Sequence, residues 1–233
     1  MIIAALDVQT TAEALAVLDR IGDAVGFYKI GMELFTAEGP DVVKAVKAKG
    51  KKVFLDLKFH DIPRTVERAV TSAGKMGVDL LTIHASGGKT MIEAAATAAK
   101  AFGSERPRIL AVTVLTSLDA TDLADIGVGR PPAEQVEALG RLAVGHGADG
   151  LVCSPKEVRR LRETLGPEAL LVTPGVRPAG ADIGDQKRVA TPASAIRDGA
   201  SYLVIGRPIV QASDPRAAAE AIRLEIENAH KSL

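Results

Sequence analysis

The feature that most constrains this chain is an alternation that runs its whole length: eight short apolar runs, each followed by a longer amphipathic stretch. The runs are Ile2–Asp7, Phe27–Gly31, Val53–Lys58, Leu80–His84, Ile109–Val114, Gly150–Cys153, Leu170–Thr173 and Tyr202–Gly206. Most are continuously apolar, as strands are when both faces of a parallel sheet are covered. The intervening stretches open with helix-start chemistry. Thr10-Thr11-Ala12-Glu13 and Ser154-Pro155-Lys156-Glu157 read as capping boxes, and Thr191-Pro192 and Asp214-Pro215 put a proline directly after a cap residue. After Lys58, the positions Val66, Ala69, Val70 and Ala73 make one apolar stripe of a helix that begins near Pro63. Such βα units predict an α/β fold, the (β/α)8 TIM barrel, with a doubly wound open sheet as its structural competitor. No linker or shift in composition divides the chain, so residues 1–233 read as a single domain.

Charge and cysteine usage narrow the chemistry. Lys+Arg 29 balance Asp+Glu 29, so no global field would hold nucleic acid or an anionic membrane, and any anion site must be local. The opening Met1-Ile2-Ile3-Ala4-Ala5-Leu6-Asp7 lacks the basic and long apolar regions of a signal peptide, and a cytoplasmic location is expected. The single cysteine, Cys153, excludes an intrachain disulfide framework and reads as a small buried hydrophobe beside Leu151 and Val152. His60, His84, His146 and His230 have no carboxylate or cysteine partners at zinc-like spacing, and no metal is expected.

In a parallel barrel, catalytic groups sit where strands end and βα loops begin. Four charged residues fall there: Asp7 closes the first strand, Lys29 lies in the second, and Asp56 and Lys58 close the third. A spacing of two puts Asp56 and Lys58 on one face, toward the mouth, with Leu55 and Leu57 toward the helices. A strand-end ion pair is the structural alternative, but inward charges are costly to desolvate unless paired, and such pairs in clefts favour sites. Asp61 lies beyond the strand end; it is either a solvated loop carboxylate or one that reaches a neighbouring subunit. Across the mouth, Gly206-Arg207 ends the eighth strand, where barrels often bind phosphate on backbone N–H groups and an arginine fork. The seventh strand leads through Thr173-Pro174-Gly175-Val176-Arg177-Pro178 into a polar stretch containing Gly180, Gly184, Asp185 and Gln186, long enough for a lid. Arg177 and Gln186 either add donors to a phosphoryl group or remain solvated.

These residues resemble a known family. Asp56-Leu57-Lys58-Phe59-His60-Asp61-Ile62-Pro63-Arg64-Thr65 resembles the signature of the orotidine 5'-monophosphate decarboxylases. Ala5-Leu6-Asp7, Tyr28-Lys29-Ile30-Gly31, Thr113-Val114-Leu115-Thr116-Ser117, Thr173 to Arg177, Gly184-Asp185-Gln186 and Ile205-Gly206-Arg207-Pro208 follow in that family's order. The resemblance implies a cofactor-independent, metal-free decarboxylation of orotidine 5'-monophosphate to UMP and CO2, in pyrimidine biosynthesis. It implies a homodimer with shared active sites, in which Lys29, Asp56 and Lys58 form a charge array completed by Asp61 of the second subunit, with Thr65 beside it. Asp7 and Lys29 would bind ribose hydroxyls and Thr116 would meet the pyrimidine, while Arg177, Gln186, Gly206 and Arg207 would hold the phosphate. The whole segment Asp56 to Thr65 is expected to border the substrate, with Lys58 as the proton donor.

Two rival readings are set apart by particular residues. The 3-keto-L-gulonate 6-phosphate decarboxylases and hexulose phosphate synthases carry a similar Asp-x-Lys-x-x-Asp segment but use magnesium, held by an acidic residue near the end of strand two. This chain has Lys29 there, which would repel a divalent cation. A catalytically silent phosphate-binding barrel is the other reading. The complete set of charges argues against it.

Overall fold

The computed structural model describes residues 1–178 and 190–231. Among them eight parallel strands close into a barrel in chain order: β1 Ile2–Leu6, β2 Phe27–Gly31, β3 Lys52–Phe59, β4 Leu80–His84, β5 Arg108–Val112, β6 Gly150–Val152, β7 Leu170–Thr173 and β8 Tyr202–Ile205. β1 pairs with both β2 and β8, so the open sheet is excluded. Side-chain parity divides the apolar residues into two cores. Ile3, Ala5, Phe27, Phe54, Leu80, Leu110, Val172 and Val204 point inward and fill the barrel. Their neighbours Ala4, Leu6, Tyr28, Ile30, Val53 and Leu55 point outward into the layer shared with the helices. Each large side chain so buried contributes about 1.5–3 kcal/mol. Phe27 and Tyr202, which begin β2 and β8, meet edge to face at 5.8 Å near the lower end.

Helix starts follow their local chemistry. Thr10 and Glu13 form a reciprocal capping box on the helix Thr11–Ile21. The box at Ser154 and Glu157 opens a short 3-10 turn, Pro155–Glu157, that runs into the helix Val158–Leu165. Thr191 and Asp214 accept the N–H groups of Ser194 and Ala217. The helix Pro63–Lys75 buries Val66, Val70 and Ala73. Two differences from the sequence expectations have simple causes. After β2, two helices stand where one amphipathic stretch is read, Met32–Glu38 and Pro40–Ala48, because Gly39 adopts φ 64 and Pro40 cannot continue the first. Asp7, Val114, Cys153 and Gly206 lie just past the ends of their strands, and all four border the open mouth.

The opposite rim is closed by a repeated device. Asp79, just before β4, gives its N–H to Val53 O and accepts Val53 N–H on its carboxylate, each at 2.8 Å. Asp149, before β6, makes the same two-way clasp with Ile109, again at 2.8 Å each way. Ser201, before β8, does so with Leu171 at 2.8 and 3.1 Å. A cation backs every clasp: Lys47 on Asp79, Arg106 and Arg108 on Asp149, and Arg162 on Ser201. Burial pushes the Asp149 carboxyl up, but hydrogen bonds from Arg106, the Ile109 N–H and Arg108 outweigh it and leave it below the ordinary aspartate value. A depressed folded-state value means that this stabilisation is fully present above about pH 4, the unfolded value, and is lost as pH falls through the lower folded one. Asp149→Ala is expected to cost about 2 kcal/mol at neutral pH, because it leaves a buried N–H and two guanidinium groups without their carboxylate. Thermal unfolding of the variant should also fall less steeply than wild type below about pH 4; identical pH dependence would contradict the clasp.

Candidate active site

The site is built on an irregularity in β3. The strand is in register with β4 at Leu55↔Leu81 and again at Phe59↔Ile83, so Asp56, Leu57 and Lys58 stand opposite one residue, Thr82. Lys58 absorbs the excess backbone by adopting φ 51, and among the described residues no other non-glycine has a positive φ. Such a conformation costs about 1–3 kcal/mol and persists only where surrounding contacts enforce it. Here the Lys58 N–H is bonded to Thr82 Oγ1 at 2.8 Å. Asp56 and Lys58 border the same cavity and Leu57 packs on the helix side, as their spacing predicts. A bulge delivers that arrangement, where the sequence pattern suggested a plain pleat.

The cavity opens at the C-terminal ends of the strands and has a volume of about 410 Å³, within the range of small-molecule sites. Its floor is apolar, with Ala5, Phe54, Val112, Val152 and Val204. Along one wall the charges alternate. Asp7 Oδ1 lies 3.0 Å from Lys29 Nζ, Lys29 Nζ lies 4.0 Å from Asp56 Oδ2, and Asp56 Oδ1 lies 2.9 Å from Lys58 Nζ. The Lys29 and Asp56 side chains are each 14% exposed and Lys58 28%. Charges this far out of water are tolerable because each neighbour has the opposite sign. Thr82, fully buried, donates its hydroxyl to Asp56 Oδ1 at 3.0 Å.

Thr116, Arg177, Gly206 and Arg207 also line the cavity, with Gly206 next to Asp7 because β8 pairs with β1. Gly206 packs close to the first strand, where a Cβ would stand 3.3 Å from Asp7 Oδ2 and 3.5 Å from the Ala5 Cβ. The Arg177 backbone is held in place: its N–H bonds Ala190 O at 2.9 Å beside the Val176↔Ala190 bridge. Gln186, with Gly180, Gly184 and Asp185, lies outside the described residues. Two residues were not singled out from the sequence, Gln211, which borders the cavity, and Thr82, which is buried behind Asp56. Gln211 comes from the short turn after β8, which carries no periodicity. Thr82 had a visible signal, a polar residue at an inward position of an apolar strand.

The rest of the segment after Lys58 leaves this cavity. Phe59 packs with the helix-side core, and His60 stacks on His84 with ring centroids 5.4 Å apart. Burial lowers the His84 pKa, and His60 and Lys58 lower it further against an upward pull from Asp56. Asp61 is exposed and accepts the Ile62 N–H at 2.6 Å, Pro63 starts the following helix, Arg64 pairs with Glu67, and Thr65 is exposed. Leu57, Lys58, His60, Asp61 and Thr65 instead border a second, shallower hollow of about 310 Å³ on the outer side of β3. Exposed Ile62 and Met32 flank the ends of the adjacent strands β3 and β2. Among the described residues no three His, Cys, Asp or Glu side chains gather as a metal site, and no helix is long and apolar enough to cross a membrane.

Residues 1–222 match the profile of the Orotidine 5'-phosphate decarboxylase / HUMPS family. The chain is 54% identical over 231 residues to the orotidine 5'-phosphate decarboxylase of Moorella thermoacetica, covering 97% of this chain and 92% of that protein. It is 55% identical over 221 residues to the protein of the same name from Anaeromyxobacter sp., covering 95% and 96%. The crystal structure of orotidine 5'-phosphate decarboxylase from Lactobacillus acidophilus matches with a TM-score of 0.87 at 43% identity, over 97% of this chain and 98% of that one.

Cys153 borders the cavity yet is 1% exposed, and burial, with Glu157 nearby, pushes its thiol up to about 12. A thiol held protonated and covered is inert. The folded protein at pH 8 should therefore show no thiol reactive to Ellman's reagent within minutes, and about one equivalent after unfolding. A full equivalent from the folded protein would contradict this packing.

Proposed function

The chain belongs to the orotidine 5'-phosphate decarboxylase / HUMPS family, and from that premise we propose that it converts orotidine 5'-monophosphate to UMP and CO2 in pyrimidine biosynthesis, as a single-domain cytoplasmic enzyme. One observation carries the reading: Lys29 Nζ sits between Asp7 and Asp56, at 3.0 and 4.0 Å, in the barrel mouth. An ammonium there occupies the position that a divalent cation would need, which favours the metal-free member of the family over the magnesium-dependent sugar-phosphate enzymes.

Loss of CO2 from C6 of orotate leaves an electron pair in the ring plane that the ring does not delocalise. The site has to stabilise that charge electrostatically and supply a proton. Lys58 does both, donating from Nζ to C6 as the C–C bond breaks. Asp56, beside it, disfavours the substrate carboxylate more than the transition state, in which that carboxylate is losing its charge. Binding energy from groups remote from C6 offsets this cost. Arg177, Gly206 and Arg207, together with Gln186, hold the phosphate; Asp7 and Lys29 hold ribose hydroxyls; Thr116 meets the pyrimidine. The volume of the cavity, and a lining that joins the alternating charges to Arg177 and Arg207, support this reading.

The reading includes a homodimer with shared sites. Asp61 and Thr65 turn away from their own cavity and border the outer hollow behind Lys58, so they are available to a second copy docked on that rim. The remainder of the segment, Leu57 and Phe59 to Arg64, then shapes the joint between the two sites.

Purified protein in excess EDTA should consume orotidine 5'-monophosphate, followed by its absorbance, with UMP as product. No turnover, or turnover only with added magnesium, would refute the reading. Mixing Lys58→Ala and Asp61→Ala chains, each inactive alone, should restore up to about a quarter of wild-type activity through hybrid dimers with one intact site, if sites are shared. No recovery after verified subunit exchange would refute sharing.

A further inference from the structure

We infer that Thr82 is a positioning residue for this reaction, whose hydroxyl sets the placement of Lys58 against Asp56. The inference rests on the proposed decarboxylation. A hydroxyl has one hydrogen to give and lone pairs to receive. The Lys58 N–H, 2.8 Å from Oγ1, uses a lone pair, and the hydroxyl hydrogen goes to Asp56 Oδ1 at 3.0 Å. One atom thus grips the backbone of the proton donor and the carboxylate of its partner. Thr82 is 0% exposed, so water does not compete for either bond.

The bracket matters because the backbone here is irregular. Three residues of β3 stand opposite Thr82 alone, and Lys58 is held at φ 51. The side chain of Thr82 supplies the Lys58 N–H with the acceptor that a regular ladder would otherwise provide. At the other end Asp56 Oδ1 receives two donors, Thr82 Oγ1 at 3.0 Å and Lys58 Nζ at 2.9 Å, while Oδ2 faces Lys29 at 4.0 Å. Two donors hold Oδ1, and the Lys29 ammonium attracts Oδ2 across 4.0 Å. The β-branch of threonine restricts χ1 and keeps the hydroxyl aimed. Valine matches this shape and lacks only the two bonds.

Thr82 does not line the cavity, and the phosphate and ribose contacts are made by other residues. Its loss should therefore fall on the transition state and leave substrate affinity nearly intact. Thr82→Val is expected to lower kcat by about 10- to 100-fold, the effect of misplacing a reacting group by a fraction of an ångström to about 1 Å, with KM changed less than about threefold. Thr82→Ser should recover most of that loss. Both variants are measured for kcat, KM and UMP affinity, and Thr82→Cys, which lies between serine and threonine in volume but bonds weakly, replaces Thr82→Val if the latter is insoluble. A kcat for the hydroxyl-free variant within twofold of wild type would overturn the inference. So would equal impairment of Thr82→Ser, or a loss of kcat matched by loss of UMP binding, either of which marks Thr82 as packing alone. A wild-type chain that leaves orotidine 5'-monophosphate unchanged would instead refute the reading on which the inference rests.

Discussion

The rest of the site depends on one carboxylate. Asp56 is mostly withdrawn from water, yet Lys58 Nζ at 2.9 Å and Thr82 Oγ1 at 3.0 Å donate to one oxygen, and the Lys29 ammonium lies 4.0 Å from the other. Removing either lysine would leave charge uncompensated in a poorly solvated place. The constraint propagates outward. Lys29 has Asp7 as its second partner, and Gly206 packs close to Asp7, where a Cβ would stand 3.3 Å from Oδ2.

The barrel separates this demand from stability. At the mouth, strands end early, Lys58 takes a costly φ of 51, and charges are brought together out of water. At the opposite rim, Asp79, Asp149 and Ser201 clasp adjacent strand starts in a repeated pattern, each backed by a cation. Between the two rims lie the inner core and the larger core under the helices. The lower half thus stabilises a frame whose upper half is free to be strained.

How much of this can be read in the sequence follows from which interactions are local. The strands are legible because a stave buried on both faces must be apolar over several residues, and the helix starts because a cap and its bonded N–H lie within three residues. Asp7, Lys29, Asp56, Lys58, Arg177 and Arg207 stand out because charges at strand ends of such a chain are few. Thr82 is less legible, since its importance depends on a register shift in the neighbouring strand that no pattern in β3 announces. Gln211 is hidden in a turn, and the Gly39-Pro40 break was written in the chain but masked by the amphipathic stretch around it. Asp61 was ambiguous in the sequence, and within a single chain it is exposed and turned from the cavity.

The central claim is that the ammonium of Lys58, held by Asp56, carries the chemical step. Its most direct test is single-turnover conversion of orotidine 5'-monophosphate by Lys58→Ala, with UMP affinity measured on the same preparation. The account predicts that conversion falls by at least about four orders of magnitude, as when a group central to the chemistry is removed, while UMP still binds within about tenfold of wild type. Conversion within tenfold of wild type would contradict it.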